Sequence, residues 1–552
     1  MKRLVALLAL LTLALTGCAT IPSDGAIGFG GDVRAGFTDD NLYYSPAGPS
    51  DGATQDQILS GFINAGNGPQ NDYSVSREFL TPTLAKNWQP SNEVLIQAGS
   101  PEITVYGDNT ATITLKTIAR VDANGRYFEE SAGAVRVLDF KLVRSAGQWR
   151  IDQAPNLTVL IAPNFKVLFR SYSLYFFDNS LTYLVPEVRW FPSRVSTGTR
   201  LMNALLAGPS DWLRYAVTTV IPVGTKLNIN AVTIVDSIAQ VDLSSSALKL
   251  EENKRQFMKA QISATLEQLP EVTGVEISVA QTPLKVTQFI TGVPASVDPN
   301  PVALLDGSVK HISASGAQTI PGLANRLSGL DVVDFALNGN QTLLAVVTGL
   351  GVQRYVLGAI EDSSVLVDDR ANQLSPVFDA HGYLWTLPSE ADASFRAAST
   401  NSNLIVSNHW FPKYVPVDFE LSPEGTRIAI VYQSKSSRLV YVHAVKRDNL
   451  GRPVAIGAPV PVSAARDALD NAWADMTTIA ALVGSAQTQT PWLCEVGGRS
   501  IALRATTGAK AIVVNGASVV FTLQNDGRVL QLTGNKWTLI SRGALALHTN
   551  GH

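Results

Sequence analysis

One cysteine near the start of the chain is placed for covalent chemistry. Cys18 closes Leu15-Thr16-Gly17-Cys18, which follows Lys2, Arg3 and an apolar run from Leu4 to Leu15 broken only by Thr12. A basic start, an apolar stretch and a small-residue processing site make a secretory leader. The cysteine adds a second reaction. Its thiolate takes up diacylglycerol as a thioether (S-diacylglycerol), and cleavage before Cys18 frees an amine for a further acyl chain such as palmitate. The apolar run is far short of the roughly 20 residues that span a bilayer. Each buried methylene contributes about 0.8 kcal/mol, and two or more acyl chains hold a protein stably where one does not. The expectation is lipid attachment at Cys18 and a mature chain tethered to the extracytoplasmic face of the cell membrane.

Other residues able to do chemistry do not form a motif. The histidines are His311, His381, His409, His443, His548 and His552, and none has metal-site spacing. No Walker loop and no Gly-x-Ser-x-Gly elbow occurs. Glu129 and Glu130 adjoin on an expected strand, so they point to opposite faces. Asp379 and His381 read as hairpin positions, and Trp190-Phe191-Pro192 reads as a core or domain contact. Cys494 reads as a buried small hydrophobe. The expectation is therefore no catalytic residue, no metal and no cofactor among these motifs, with an active site assembled from distant residues left open.

Composition bounds the architecture. The 552 residues allow several domains, charged residues are only 16%, and Gly (42) and Pro (28) suit a turn-rich β protein. Removing Lys2 and Arg3 with the leader takes the formal charge from −3 to −5, which gives no electrostatic reason to expect nucleic acid. With Cys18 carrying lipid, Cys494 is the other cysteine, and no intramolecular disulfide is expected.

The pattern divides the chain into a leader (1–17), lipidated Cys18 with a flexible linker (18–52), and three folded parts. The first, 53–160, has helices from Thr54 and over 74–87, interrupted at Pro82, followed by an antiparallel meander. This α+β unit resembles the nuclear-transport-factor-2-like fold. The second, 165–290, has strands at 172–177 and 181–190 and a helix ending at Gly208-Pro209. Ile221-Pro222-Val223-Gly224-Thr225-Lys226-Leu227 follows, then Val241-Asp242-Leu243-Ser244, a helix over 254–269 and a strand at 275–279. Those marks resemble the GerMN domains of sporulation and germination proteins, with Gly208, Asp242 and Ser244 as fold markers. The third, 301–552, carries a repeat. Phe335 to Val347 aligns without gaps on Phe419 to Val431, each an apolar strand, a polar turn and an apolar strand. A recurrence of about 40–55 residues fits four-stranded blades, giving a β-propeller of about 5–6 blades in preference to a sandwich. The fold class expected is multidomain and mostly β.

This order, with Leu421-Ser422-Pro423-Glu424-Gly425-Thr426-Arg427 as a blade signature and Leu374-Ser375-Pro376 before another, resembles the LpqB family of actinobacterial lipoproteins over essentially the whole chain. The resemblance implies a non-enzymatic accessory of the MtrA–MtrB two-component system. Its partner would be the extracellular domain of a membrane sensor histidine kinase (MtrB-like), and its outputs would be cell-wall metabolism and division. A peptidoglycan- or other glycan-binding envelope module is the alternative.

Overall fold

The computed structural model describes residues 46–549 except 108, 132, 194–195, 287–299, 324–326, 359–363, 411–412 and 486. The leader, Cys18, the linker up to residue 45 and His552 lie outside the described residues. Among the described residues no helix is long and apolar enough to cross a membrane.

The first domain packs helices on a curled sheet. Helix α1 (Gln55–Ala65) starts where Gln57 Oε1 accepts the Thr54 N–H at 3.0 Å, and Ile58, Leu59, Phe62 and Ile63 turn one apolar stripe inward. Helices α2 (Gln70–Glu78) and α3 (Pro82–Asn87) are separate because Pro82, lacking an N–H, serves as the first residue of a new helix rather than the interior of an old one. Strands β1 (Glu93–Gln97), β2 (Glu102–Val105), β3 (Thr110–Asp122), β4 (Tyr127–Glu129), β5 (Val135–Ser145), β6 (Gln148–Gln153) and β7 (Thr158–Ile161) form one sheet in the order β6-β5-β3-β1-β7. Both ends of long β3 carry short partners, β2 and β4. Strand β1 is apolar on both faces for a reason. Leu95 joins the helix-side core, while Val94 and Ile96 join a second core containing Phe165, Phe169 and Trp190. That second core reaches into the next domain.

Helix α4 (Ala162–Leu168) leads into the middle domain. Its first sheet pairs β8 (Phe169–Asp178) with β9 (Leu184–Pro192) and β10 (Val217–Thr218). The second contains β11 (Thr233–Val235), β12 (Ile238–Leu243), β13 (Gly274–Val279) and β14 (Thr282–Pro283). Strands β12 and β13 run parallel, which requires a crossover, and helix α6 (Glu252–Leu266) supplies it. Helix α5 (Thr197–Ala207) packs Leu201, Met202 and Leu205 against Met258, Ile262 and Leu266 of α6. Strand β9 starts later than the sequence pattern suggests. Leu181 has φ +59°, and the Asp178 carboxylate accepts the N–H groups of Thr182 and Tyr183 at 2.7 Å, so 179–183 is a turn held by one side chain.

Six antiparallel sheets follow among the described residues. Their inner strands are Asp334–Leu337, Val377–Phe378, Val415–Leu421, Ala468–Trp473, Ala509–Asn515 and Ala544–His548, each in contact with the next and the last with the first. This closed ring is a β-propeller of six blades, the upper value of the expected range. Ala544–His548 pairs with Val302–Leu305, so the first blade is completed by the end of the chain. The ring leaves each blade with only short edges. The sequence repeat is the first two strands of two blades, and Phe335 and Phe419 occupy equivalent, fully buried positions.

Candidate functional site

The three domains meet around β9. Eight of its nine residues are buried, including Glu187 and Arg189. A hairpin strand buried on both faces needs covering layers on each side, and here they come from different domains. On one side Trp190 stacks among Tyr127 and Phe165, with ring centroids 5.5 and 5.1 Å away. On the other, Trp190 Nε1 donates to Gly497 O of the propeller at 3.2 Å, and the Arg499 guanidinium lies 5.6 Å from its ring. The expectation that Trp190 makes a core or domain contact holds.

Glu187 and Arg189, two apart on one strand, share a face and pair at 2.8 Å. Ser210 locks the pair. Its N–H donates to Glu187 Oε2 at 3.1 Å, and Arg189 Nη2 donates to its hydroxyl at 3.2 Å. Ser210 is placed by the end of α5, where Gly208 takes φ +88°, a backbone state that costs a glycine little.

The propeller grips the same hairpin through its inner turns. The blade signature now has a physical content. Glu424 Oε1 accepts from Ser422 Oγ (2.6 Å), Thr426 Oγ1 (2.7 Å) and Arg427 Nε (2.8 Å), while Gly425 provides φ +70° for the turn. Arg427, so fixed, donates from Nη1 to Pro186 O of β9 at 3.2 Å and from Nη2 to Met476 O at 2.6 Å. One blade over, Asp379 Oδ1 accepts the N–H groups of His381 and Tyr383, and Oδ2 accepts from Trp385 Nε1 and Arg447 Nη2. This turn meets the middle domain where Tyr183 Oη donates to Ala380 O at 3.1 Å. Burial, with the Arg447 charge beside it, holds His381 below its ordinary pKa. Asp379 and His381 are hairpin positions, as their sequence suggests, and also a domain contact.

A cavity of about 370 Å³ lies at this three-domain junction, lined by Tyr127, Glu129, Glu187, Trp212, Val462 and Glu495, among others. Burial pushes Glu495 up to about 7, in spite of a hydrogen bond with Ser171. Burial likewise raises Glu129, which hydrogen-bonds Ser500 of the propeller. Glu130 instead accepts from Thr117 at 2.6 Å and pairs with Arg136 at 2.9 Å, so the adjacent carboxylates do not converge. The arrangement can hold domains together and can change its grip with protonation.

Other sequence candidates sit apart. Cys494 is buried and its thiol is pushed up to about 12 by burial, so it stays protonated. His443 is buried, and burial lowers it to about 4. Asp242 accepts from Asn228, Ser278 and the Gln281 N–H, and Ser244 Oγ accepts the Lys226 N–H at 3.1 Å. Both markers serve the fold, but they tie segments 14 to 39 residues away instead of local backbone. No three His, Cys, Asp or Glu converge as metal ligands among the described residues. Sequence reading missed Glu187, Arg189, Glu424 and Arg427 as a junction, and it missed Asp334, Asp418, Glu420 and Asp470 inside the propeller ring.

Comparison with known proteins gives matches to three family models. The N-terminal domain of lipoprotein LpqB matches 48–166, a sporulation and spore germination domain matches 173–285, and the β-propeller domain of lipoprotein LpqB matches 307–546. Lipoprotein LpqB of Cutibacterium acnes is 27% identical over 58% of this chain and 56% of its own length. Lipoprotein LpqB of Thermobifida fusca is 26% identical over 69% of this chain and 65% of its own. The matched part of the chain thus spans between half and two thirds of each of these relatives. Among solved structures, the first GerMN domain of the sporulation protein GerM from Bacillus subtilis is 26% identical, with 23% of this chain and 94% of that one covered and a TM-score of 0.18.

Proposed function

The chain belongs to the LpqB family of lipoproteins, and from that premise we propose that it is a lipid-anchored, extracytoplasmic regulator that acts by binding. Lipid on Cys18 holds it at the membrane surface, and its partner is the extracellular domain of a sensor histidine kinase of the MtrB kind. Through that kinase it tunes cell-wall metabolism and division. One structural observation supports this reading above others: β9 is clamped between the first domain and the propeller by Trp190 and Arg427. A body joined in this way presents a preformed surface, and loses less freedom on docking than loosely strung domains would. Anchoring to the partner's own membrane raises the effective concentration without a new contact.

The test is capture from membranes with the lipidated protein, set against the Cys18→Ala form. Selective recovery of a sensor kinase by the lipidated form is the expected result. Recovery of wall glycan with no kinase transfers the assignment to an envelope-binding module.

A further inference from the structure

The inner strands of the propeller line a second cavity, of about 250 Å³, which shares no lining residue with the junction cavity and is independent of the kinase reading. Its lining reaches solvent at Lys510 and Leu545, both exposed, with Lys510 Nζ held on Leu545 O at 3.0 Å.

Four carboxylates line it: Asp334, Asp418, Glu420 and Asp470. They are not equivalent. Asp334 is neutralised by His548, whose Nε2 lies 2.6 Å from Oδ1, and against the opposing effect of burial each partner favours the other's charged form. Asp418 accepts the Asn471 N–H and Nδ2 at 2.8 and 2.5 Å and the Phe419 N–H, and it shares a hydrogen bond with the Asp470 carboxyl. Asp470 accepts the Ile512 N–H at 2.6 Å. No lysine or arginine acts on Asp418, Glu420 or Asp470 among the described residues, and the positive charge felt by Glu420 is that of His548. Burial, then repulsion from Asp418, pushes Glu420 up to about 8, and burial pushes Asp418 up to about 6 against its hydrogen bonds.

A separate observation points the same way and does not depend on the acids. Asn471 lines the cavity and is 2% exposed, and its Oδ1 has no hydrogen-bond donor. Its Nδ2 is fixed on Asp418, so the amide cannot turn over to remedy this without placing oxygen against a carboxylate. A buried acceptor without a donor costs about 1–3 kcal/mol. The Asn471 oxygen thus lacks a donor beside three carboxyl groups that have no lysine or arginine paired with them among the described residues.

A metal ion would need several oxygens on one point at about 2.0–2.6 Å, and no three candidate ligands so converge among the described residues. An ammonium group reaches further, with three N–H donors aimed at acceptors roughly 2.8 Å from nitrogen. We propose that the propeller channel binds the ammonium group of an amine-bearing ligand, with Asp418, Glu420, Asp470 and the Asn471 carbonyl oxygen as its acceptors.

The experiment is titration calorimetry on the full-length protein in detergent micelles. The probes are Nα-acetyl-lysine amide, its uncharged analogue Nα-acetyl-norleucine amide, 1,5-diaminopentane and calcium chloride. Saturable binding of the lysine derivative is expected, at least about tenfold tighter than the norleucine analogue, a difference of about 1.4 kcal/mol. Glu420→Gln should weaken it at least about tenfold without lowering the unfolding midpoint. Equal affinity for diamine and lysine derivative would assign the site to free amines; a preference of about tenfold for the lysine derivative would assign it to lysine side chains. Either result supports ammonium recognition. The proposal is overturned if the two amino-acid derivatives behave alike, if only calcium binds, or if Glu420→Gln changes nothing. The wild-type comparison decides the matter even if the variant fails to fold.

Discussion

Replacing Arg427 by Met tests whether the blade turn is what clamps the propeller to β9. In the wild type, Glu424 and Arg427 are 0% and 2% exposed and pair at 2.7 Å. The substitution keeps most of the volume and removes the guanidinium. Glu424 then stays buried with two hydroxyl donors and no cation. Breaking a buried pair from one side costs about 3–5 kcal/mol, mostly because a charge is stranded, whereas replacing both partners is often nearly neutral. The bond to Pro186 O adds about 1 kcal/mol. For a domain of this size each kcal/mol lowers the midpoint by about 2–4 °C, so Arg427→Met should lower the propeller transition by roughly 10 °C in scanning calorimetry. The double variant Glu424→Gln/Arg427→Met should regain at least half of that loss, because it strands no charge. The same two variants should differ in domain clamping: neither makes the Pro186 bond, so protease cleavage at the β8–β9 turn should rise in both. A single variant that loses less than about 1 kcal/mol, or a double variant no better than the single, would refute the stranded-charge reasoning.

Three further outcomes are expected. Cys18→Ala should move the protein from the membrane fraction to the soluble fraction; retention at the membrane would contradict lipid anchoring. Glu495 has a folded pKa of about 7 against an ordinary 4.5, so the folded state binds its proton more tightly. Its contribution is fully present below about pH 4.5 and is lost as pH rises through about 7, a decline of about 3 kcal/mol. Glu495→Gln should flatten the fall in unfolding midpoint between pH 5 and 8, and parallel profiles would exclude Glu495 as its source. Trp190→Ala should cost about 3–5 kcal/mol in urea unfolding by opening a cavity at the junction, while Trp190→Phe, which keeps a ring and gives up the Gly497 bond, should cost clearly less.

What was legible in the sequence was what local chemistry writes there. Gly208, a fold mark of the middle domain, acts on its own neighbours by ending its helix. The blade repeat was readable because Phe335 and Phe419 do the same work in two blades. Blade closure was not, since the pairing of Val302 with His548 joins opposite ends of the domain and leaves no local trace. The strand read at 181–190 is present, shifted to Leu184–Pro192. Its Glu187 and Arg189 gave no sign of burial, because the layers that bury them come from other domains. The channel carboxylates were hidden by the same distance. Asp334, Asp418 and Asp470 stand on separate inner strands, and each alone reads as the polar half of an alternating strand.

The central claim is that the anchored protein changes the state of a sensor kinase by contact on the membrane surface. The most direct measurement is kinase autophosphorylation in liposomes that carry the full-length sensor kinase, with the lipidated protein or its Cys18→Ala form added outside, on the face bearing the kinase's extracellular domain. The account predicts a several-fold change in rate with the lipidated protein and a much smaller one with the unanchored form at the same concentration. Identical rates with and without the lipidated protein, at a surface density that saturates the liposomes, would contradict it.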